Sequence, residues 1–134
     1  MAVVRDEVVV LGDAAEAKGQ HADAIAAYEE ALRLKPDSTR AMRALATALL
    51  ATGKVTRAAD PLQEAIRIAP SDPESWYRYG LLEAAAGRAA AAVLKIRKAI
   101  ELDPSLPGKS RSLAEVLLQM GDLPGASEAL TAAL

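Results

Sequence analysis

The stretch from residue 70 to residue 104, PSDPESWYRYGLLEAAAGRAAAAVLKIRKAIELDP, contains one complete copy of a unit that fills the chain. Shifting the sequence against itself by 34 residues aligns prolines, glycines and alanines without any insertion. Four columns share this period: Pro36, Pro70 and Pro104; Gly19, Gly53, Gly87 and Gly121; Ala24, Ala58, Ala92 and Ala126; and Ala31, Ala65, Ala99 and Ala133. A fixed period of this length predicts a repeat protein, in which each unit buries its apolar face against its neighbours.

Each copy reads as two helices separated by a turn. In the third copy Trp76, Tyr79, Gly80 and Glu83 share roughly a third of a turn of helix, and three of these four columns are apolar or small in every copy. A glycine suits the left-handed position after a first helix, and a proline ends each second helix. First helices are therefore expected near residues 5–18, 39–52, 73–86 and 107–120, and second helices near 22–35, 56–69, 90–103 and 124–134.

These residues resemble the tetratricopeptide pattern, W-x2-L-G-x2-Y followed by A-x3-F and P. The third copy supplies Trp76, Tyr79, Gly80, Ala92, Ile96, Ala99 and Pro104, and the resemblance covers residues 5–134. Glu83 replaces a tyrosine of the pattern and Ser110 a tryptophan, so looser packing is expected in the third and fourth copies. The resemblance implies an all-α fold, a right-handed α-solenoid of antiparallel helix pairs. It implies one array over residues 1–134, with repeats at approximately 5–38, 39–72, 73–106 and 107–134.

Composition limits the classes of function. The chain has 134 residues, 51% hydrophobic and 25% charged, which is typical of a single soluble domain. Its net charge of −2 argues against a nucleic-acid partner, and it has no cysteine. The sequence has no uncharged run near the ~20 residues that span a membrane and no apolar signal-peptide core. These features predict a cytoplasmic protein, or a periplasmic one if a leader was removed. Abundant Ala, Arg, Leu and Gly without Asn or Phe suggest a bacterial source.

Three local patterns could suggest chemistry, and each has a plainer interpretation. Gly108-Lys109-Ser110 lacks the earlier glycine of a phosphate-binding loop and is predicted to be a helix start. His21 is the single histidine, and without cysteine it makes a poor metal site. Adjacent acids such as Glu29 and Glu30 have no nucleophile to work with and are predicted to be solvated. No catalytic set, metal or cofactor is therefore expected, and the chain is predicted not to be an enzyme.

The resemblance also implies a binding groove, because such arrays hold a peptide or partner segment on the concave surface formed by their first helices. Arginine and tyrosine often anchor interfaces, so Tyr77 among arginines predicts a partner with acidic and apolar side chains. Alternatively, Arg40 and Arg43 pair with Asp6 and Asp13 of the preceding copy. The family's clamp for two carboxylates needs asparagines, which the chain lacks. The predicted groove residues are Arg40, Arg43, Thr47, Leu50, Glu74, Tyr77, Leu81, Arg111 and Glu115, with Arg78 at the rim.

The leading hypothesis is therefore a non-catalytic scaffold for protein–protein interaction. The alternative is a structural, assembly or oligomerisation module that forms part of a larger protein. It rests on the fourth copy, in which Leu117, Leu118 and Leu130 are expected to face outward with no polar helix after them. Such an end is expected either to continue into a longer chain or to self-associate through the C-terminal repeat.

Overall fold

The computed structural model describes residues 2–105 and 108–132, with side chains from Glu7 onward. Within these ranges there are eight helices and no strand. The helices are α1 (Ala2–Ala17), α2 (His21–Leu34), α3 (Thr39–Ala51), α4 (Val55–Ile68), α5 (Pro73–Ala85), α6 (Ala89–Leu102), α7 (Lys109–Gln119) and α8 (Leu123–Ala132). The predicted all-α arrangement of helix pairs is confirmed, and the described helix ends differ from the predicted ones by at most three residues. The predictions for the Asp6 side chain, Pro107, Ala133 and Leu134 lie outside the described residues.

The chain divides into two compact units, Met1–Pro70 and Ser71–Leu134, called unit 1 and unit 2 here. In unit 1, α2 packs against α1 and α3, and α3 packs against α4. In unit 2, α6 packs against α5 and α7, and α7 packs against α8. The first helices of the two repeats in each unit also touch, α1 with α3 and α5 with α7. Each unit therefore presents a surface made of two neighbouring first helices.

Small residues let the two helices of a pair approach each other closely. A Cβ atom built on Gly80 would lie 2.6 Å from Cγ1 of Ile96 on α6, and one built on Gly12 would lie 2.5 Å from Cε1 of Tyr28 on α2. Both distances are shorter than real carbon contacts, so an added Cβ would force the facing side chain to shift. Ala92, in the invariant alanine column of the second helices, is fully buried. These columns therefore let the two helices of a pair pack closely.

The helix ends follow the local signals in most repeats. Asp72 caps α5, where its carboxylate accepts bonds from the Glu74 amide (3.2 Å) and the Ser75 hydroxyl (2.7 Å). Such a side chain satisfies amides that the first turn leaves unpaired. By contrast α7 begins only at Lys109, after Gly108 with a φ of 85° and no capping side chain. The helix start predicted at Gly108-Lys109-Ser110 is confirmed.

Glu83 is buried between the helices of its pair instead of leaving a loose position. Its Oε1 atom lies 2.9 Å from Nη2 of Arg88, and its Oε2 atom lies 3.6 Å from Nζ of Lys95. The hydrogen bond from Arg88 lowers the pKa of Glu83 below its ordinary value, although burial opposes the shift. The carboxylate is therefore charged at neutral pH and compensated by two cations.

The outer end of unit 2 is only partly as predicted. Leu117 does not face outward, because it is buried in the core cluster of α6, α7 and α8 with Ile96 and Leu113. The repeat position explains the error, since its counterparts Leu49 and Glu83 are also buried. Leu118 and Leu130 are exposed as expected, and Met120 and Leu123 are exposed as well. The end of the unit remains apolar without Leu117.

Candidate partner-binding surface

The predicted groove residues lie on three first helices. Spacings of three and four residues place them on single faces of their helices. Those on α3, together with the neighbouring helix α1, form a surface called the α1/α3 face. Those on α5 and α7 form the α5/α7 face. The α1/α3 face contains Asp13, Arg40, Arg43, Thr47 and Leu50, and the α5/α7 face contains Glu74, Tyr77, Arg78, Leu81, Lys109, Arg111, Ser112 and Glu115.

A chain of hydrogen bonds holds the α1/α3 face together. Nη2 of Arg40 donates to Oδ2 of Asp13 (2.5 Å), and the Tyr28 hydroxyl donates to Oδ1 of the same carboxylate (2.6 Å). Burial raises the pKa of Tyr28 well above its ordinary value, and the hydrogen bond to anionic Asp13 raises it further. The alternative that Arg40 pairs with the preceding copy is thus confirmed for Asp13. A partner carboxylate would have to compete with that pair.

The rest of the α1/α3 face follows α3 towards its C-terminus. Arg43, Thr47 and Leu50 are all half-buried. The Thr47 hydroxyl donates to the backbone carbonyl of Arg43 (3.0 Å), so it is engaged within its own helix. Leu50 is the apolar side chain that α3 contributes to this face.

Lys109 is a component of the α5/α7 face that sequence reasoning missed. Its Nζ atom lies 3.0 Å from Oε1 of Glu74 and 4.3 Å from the centre of the Tyr77 ring, and its side chain is almost fully buried. A cation over an aromatic face and beside a carboxylate is stabilised by both. The position of Lys109 in the repeat could have indicated its burial, since the equivalent residues Ala41 and Ser75 are also buried. A lysine at a buried position must find a partner, and Glu74 is that partner.

Tyr77 connects α5 to α7 as well as lining the face. Its hydroxyl lies 2.6 Å from Oγ of Ser112, and its ring packs against the core cluster of unit 2. The half-buried tyrosine therefore supports the fold, whatever else it contacts. Its predicted role in binding a partner stays a prediction.

The remaining predicted residues of the α5/α7 face are more accessible. Nε of Arg78 lies 3.8 Å from Oε2 of Glu74, so Glu74 interacts with Lys109 on one side and Arg78 on the other. Leu81 is half-buried, and Arg111 and Glu115 are exposed. Three cations of this face thus stand against two carboxylates, and one of those carboxylates is already shared by two cations.

Unit 2 also contains a cleft of about 300 Å³ between α6, α7 and α8. Its apolar wall includes Ile100, Leu113 and Ala129, and Ser110 contributes from the start of α7. In the second repeat the position of Ser110 is occupied by Met42, which is buried. The cleft lies where a large side chain of that column is replaced by serine.

The described residues give no sign of two other kinds of site. Across residues 2–105 and 108–132, histidine and carboxylate side chains nowhere gather in a group of three or more that could hold a metal ion. Among the same residues, every helix is too short or too polar to cross a membrane.

The sequence matches a family model described as tetratricopeptide repeat, over residues 9–73 and 69–107. The chain is a tetratricopeptide-repeat protein. The match spans most of the first repeat, from residue 9, and the complete second and third repeats, so the resemblance expected from the 34-residue period is confirmed. No curated protein matches the sequence closely enough to count as a relative.

Solved tetratricopeptide structures share the fold. MamA from Desulfovibrio magneticus RS-1 superposes with a TM-score of 0.85 at 22% identity, over 95% of this chain and 72% of that one. The Sgt2 domain from Aspergillus fumigatus gives a TM-score of 0.83 at 24% identity, over 88% and 80% of the two chains. The first such domain of Spaghetti (RPAP3), bound to the HSP90 peptide SRMEEVD, gives 0.82 at 17% identity, over 87% and 93%. These superpositions show that the chain has the helical-repeat fold.

Proposed function

We propose that this tetratricopeptide-repeat protein is a non-catalytic scaffold that binds a protein segment with acidic and apolar side chains on its first-helix faces. The observation that carries the proposal is the state of the arginines on the α5/α7 face. Glu74 is occupied by Lys109 and Arg78, whereas Arg111 on the same face is exposed. An exposed guanidinium can accept a carboxylate through two parallel hydrogen bonds.

Apolar contacts next to the arginines support a peptide rather than a small anion. Leu81 is half-buried on α5, and Leu118 is exposed further along α7. A segment that alternates acidic and apolar side chains can therefore satisfy both kinds of contact on one face. The structure of the RPAP3 domain with the peptide SRMEEVD is a precedent for an acidic peptide on a related fold.

The α1/α3 face is expected to bind a partner carboxylate only weakly through Arg40. Arg40 already pairs with Asp13, which also holds the Tyr28 hydroxyl. Drawing Arg40 away would cost the Asp13 carboxylate its charged hydrogen bond from the guanidinium, which opposes binding.

A peptide selection tests the proposal without a known partner. A phage library of random peptides is selected on the immobilised chain, and the affinity of the enriched peptides is measured by fluorescence anisotropy. Enrichment of peptides combining Asp or Glu with Leu, Ile or Phe is expected. Arg111→Ala and Arg43→Ala should each weaken binding by about 1–2 kcal/mol if they are anchors.

Arg97→Ala is the matched control, because Arg97 is an exposed arginine on the second helix α6. Its affinity should equal that of the wild type. The proposal fails if the selected peptides lack acidic residues. It also fails if both face variants bind as tightly as the control.

A second candidate function is self-association through the C-terminal repeat. It is favoured by the apolar end of unit 2, defined by the exposed side chains of Leu118, Met120, Leu123 and Leu130. Neighbouring apolar side chains at a surface are typical of interaction sites. Sedimentation velocity over a wide concentration range tests it, and a chain that stays monomeric throughout would exclude it.

A further inference from the structure

We infer that the apolar end of unit 2 binds α1 of a second copy, so that chains stack head to tail. This inference rests on the self-association proposed above and names the surface that the second copy contributes. It follows from comparing equivalent positions of the repeats.

The first half of the interface is the outer face of α8. Ile96 on α6 is 0% exposed. It packs against Gly80 of its own first helix and lies in one buried cluster with Leu113 of α7, the first helix of the following repeat. Leu130 holds the same repeat position on α8 and is 46% exposed. The end of unit 2 thus presents an apolar position that the following first helix helps to bury in the third repeat.

The second half of the interface is the outer face of α1. Leu45 on α3 is 8% exposed and Leu113 on α7 is 5% exposed, and both helices pack against the preceding second helix. Leu11 holds the same repeat position on α1 and is 64% exposed. The structure therefore exposes both partners of a contact that it makes internally in each unit.

The match between the two faces is close but incomplete. Ser127 on α8 holds the position of Ile25 in the first repeat and Val93 in the third, which makes the outer face of α8 less apolar than those of α2 and α6. Association between copies is therefore expected to be weaker than packing within a unit. Since the two faces differ, the contact is heterologous and adds further copies until the chain of copies is terminated.

Two variants that each remove one face test this arrangement. Leu11→Glu disables α1, and Leu130→Glu disables α8, while the other face of each variant remains intact. Both positions are exposed, so the fold should tolerate the change, which circular dichroism checks. Leu94→Glu, at an exposed leucine on α6, is the matched control.

Sedimentation velocity gives a distinctive expected result. The wild type and the Leu94→Glu control should form larger species as concentration rises. Each of the two face variants alone should stay monomeric, with association weakened by about tenfold or more. An equal mixture of the two should form dimers and nothing larger, because one intact α8 face meets one intact α1 face.

The other outcomes overturn the inference. If Leu11→Glu still self-associates while Leu130→Glu does not, the C-terminal repeat mediates association but α1 is not its partner. If the mixture stays monomeric, or the Leu94→Glu control is weakened equally, head-to-tail stacking is also excluded. A wild type that is monomeric at every concentration removes both this inference and the self-association on which it rests.

Discussion

Replacing Glu83 by glutamine should destabilise unit 2, although the two side chains have nearly the same shape. Glutamine removes the charge that Arg88 and Lys95 compensate in a buried position. A hydrogen bond to a charged group contributes about 1.5–3 kcal/mol, and the exposure of Arg88 reduces that through solvent screening. We therefore expect the free energy of unfolding to fall by about 1–2 kcal/mol at neutral pH.

Leucine at the same position should behave differently. Leu49 and Leu117 occupy the equivalent positions of the second and fourth repeats, and both are buried. Leucine removes only the carboxylate, and the loss of one partner is costly where the remaining charge stays buried. Here the side chains of Arg88 and Lys95 are 58% and 24% exposed, so both cations reach solvent. Glu83→Leu should therefore remain within about 1 kcal/mol of the wild type.

The effect of Glu83→Gln should depend on pH with a definite sign. Because the pKa of Glu83 is lowered in the folded state, its contribution is fully present above the ordinary carboxyl value of 4.5. It is lost as the pH falls through the lowered pKa, because the folded state must then take up a proton. Glutamine does not titrate. The stability difference between wild type and Glu83→Gln should therefore shrink as the solution is acidified below pH 4.5.

Urea unfolding followed by circular dichroism measures these differences at a series of pH values. Glu64→Gln is the control, because Glu64 pairs with Arg67 on the solvent side of α4 and should matter little. A difference for Glu83→Gln that stays constant from neutral to acidic pH would refute the proposed ion pair. A Glu83→Gln variant as stable as the wild type would do the same.

Two further substitutions test packing in unit 2, both by urea unfolding. Gly80→Ala should lower the free energy of unfolding by about 1–2 kcal/mol, because the clash of a new Cβ with Ile96 costs about 1–3 kcal/mol and outweighs the ~1 kcal/mol gained in helix propensity. A variant as stable as the wild type, or more stable, would mean that α5 and α6 can separate. Ser110→Met should gain about 1 kcal/mol, because the burial of a methionine stabilises by about 1.5–3 kcal/mol and the ordering of its side chain offsets part of that. An absence of gain would show that the cleft does not accept the side chain that Met42 places at its repeat position.

Features that repeat with the 34-residue period could be predicted from the sequence. The close approach at Gly80, the burial of Ala92 and the cap at Asp72 all follow from local chemistry or from a column shared between copies. Such residues are constrained by their own helix pair. Reading one copy was therefore enough to place them in the others.

Residues whose contacts cross between helices were harder to predict. Lys109 looks like a surface lysine until Glu74 and Tyr77 of α5 are placed beside it. Leu117 is buried because α8 packs against α7, and its repeat position is also buried in the second and third repeats. The sequence allowed Arg40 to pair either with a carboxylate of a binding partner or with Asp13 of the preceding repeat. The distance between the two side chains shows that the internal pair forms.

The division into two units gives the chain a built-in test of unfolding cooperativity. Trp76 is the only tryptophan and lies in α5 of unit 2, so its fluorescence reports on residues 71–134. The far-ultraviolet helical signal reports on all eight described helices. Repeat arrays gain stability from local terms, and their parts need not unfold together. A helical signal that falls before the fluorescence changes would mean that unit 1 unfolds first. The α1/α3 face with Arg40 and Arg43 would then be lost before the α5/α7 face with Arg78 and Arg111.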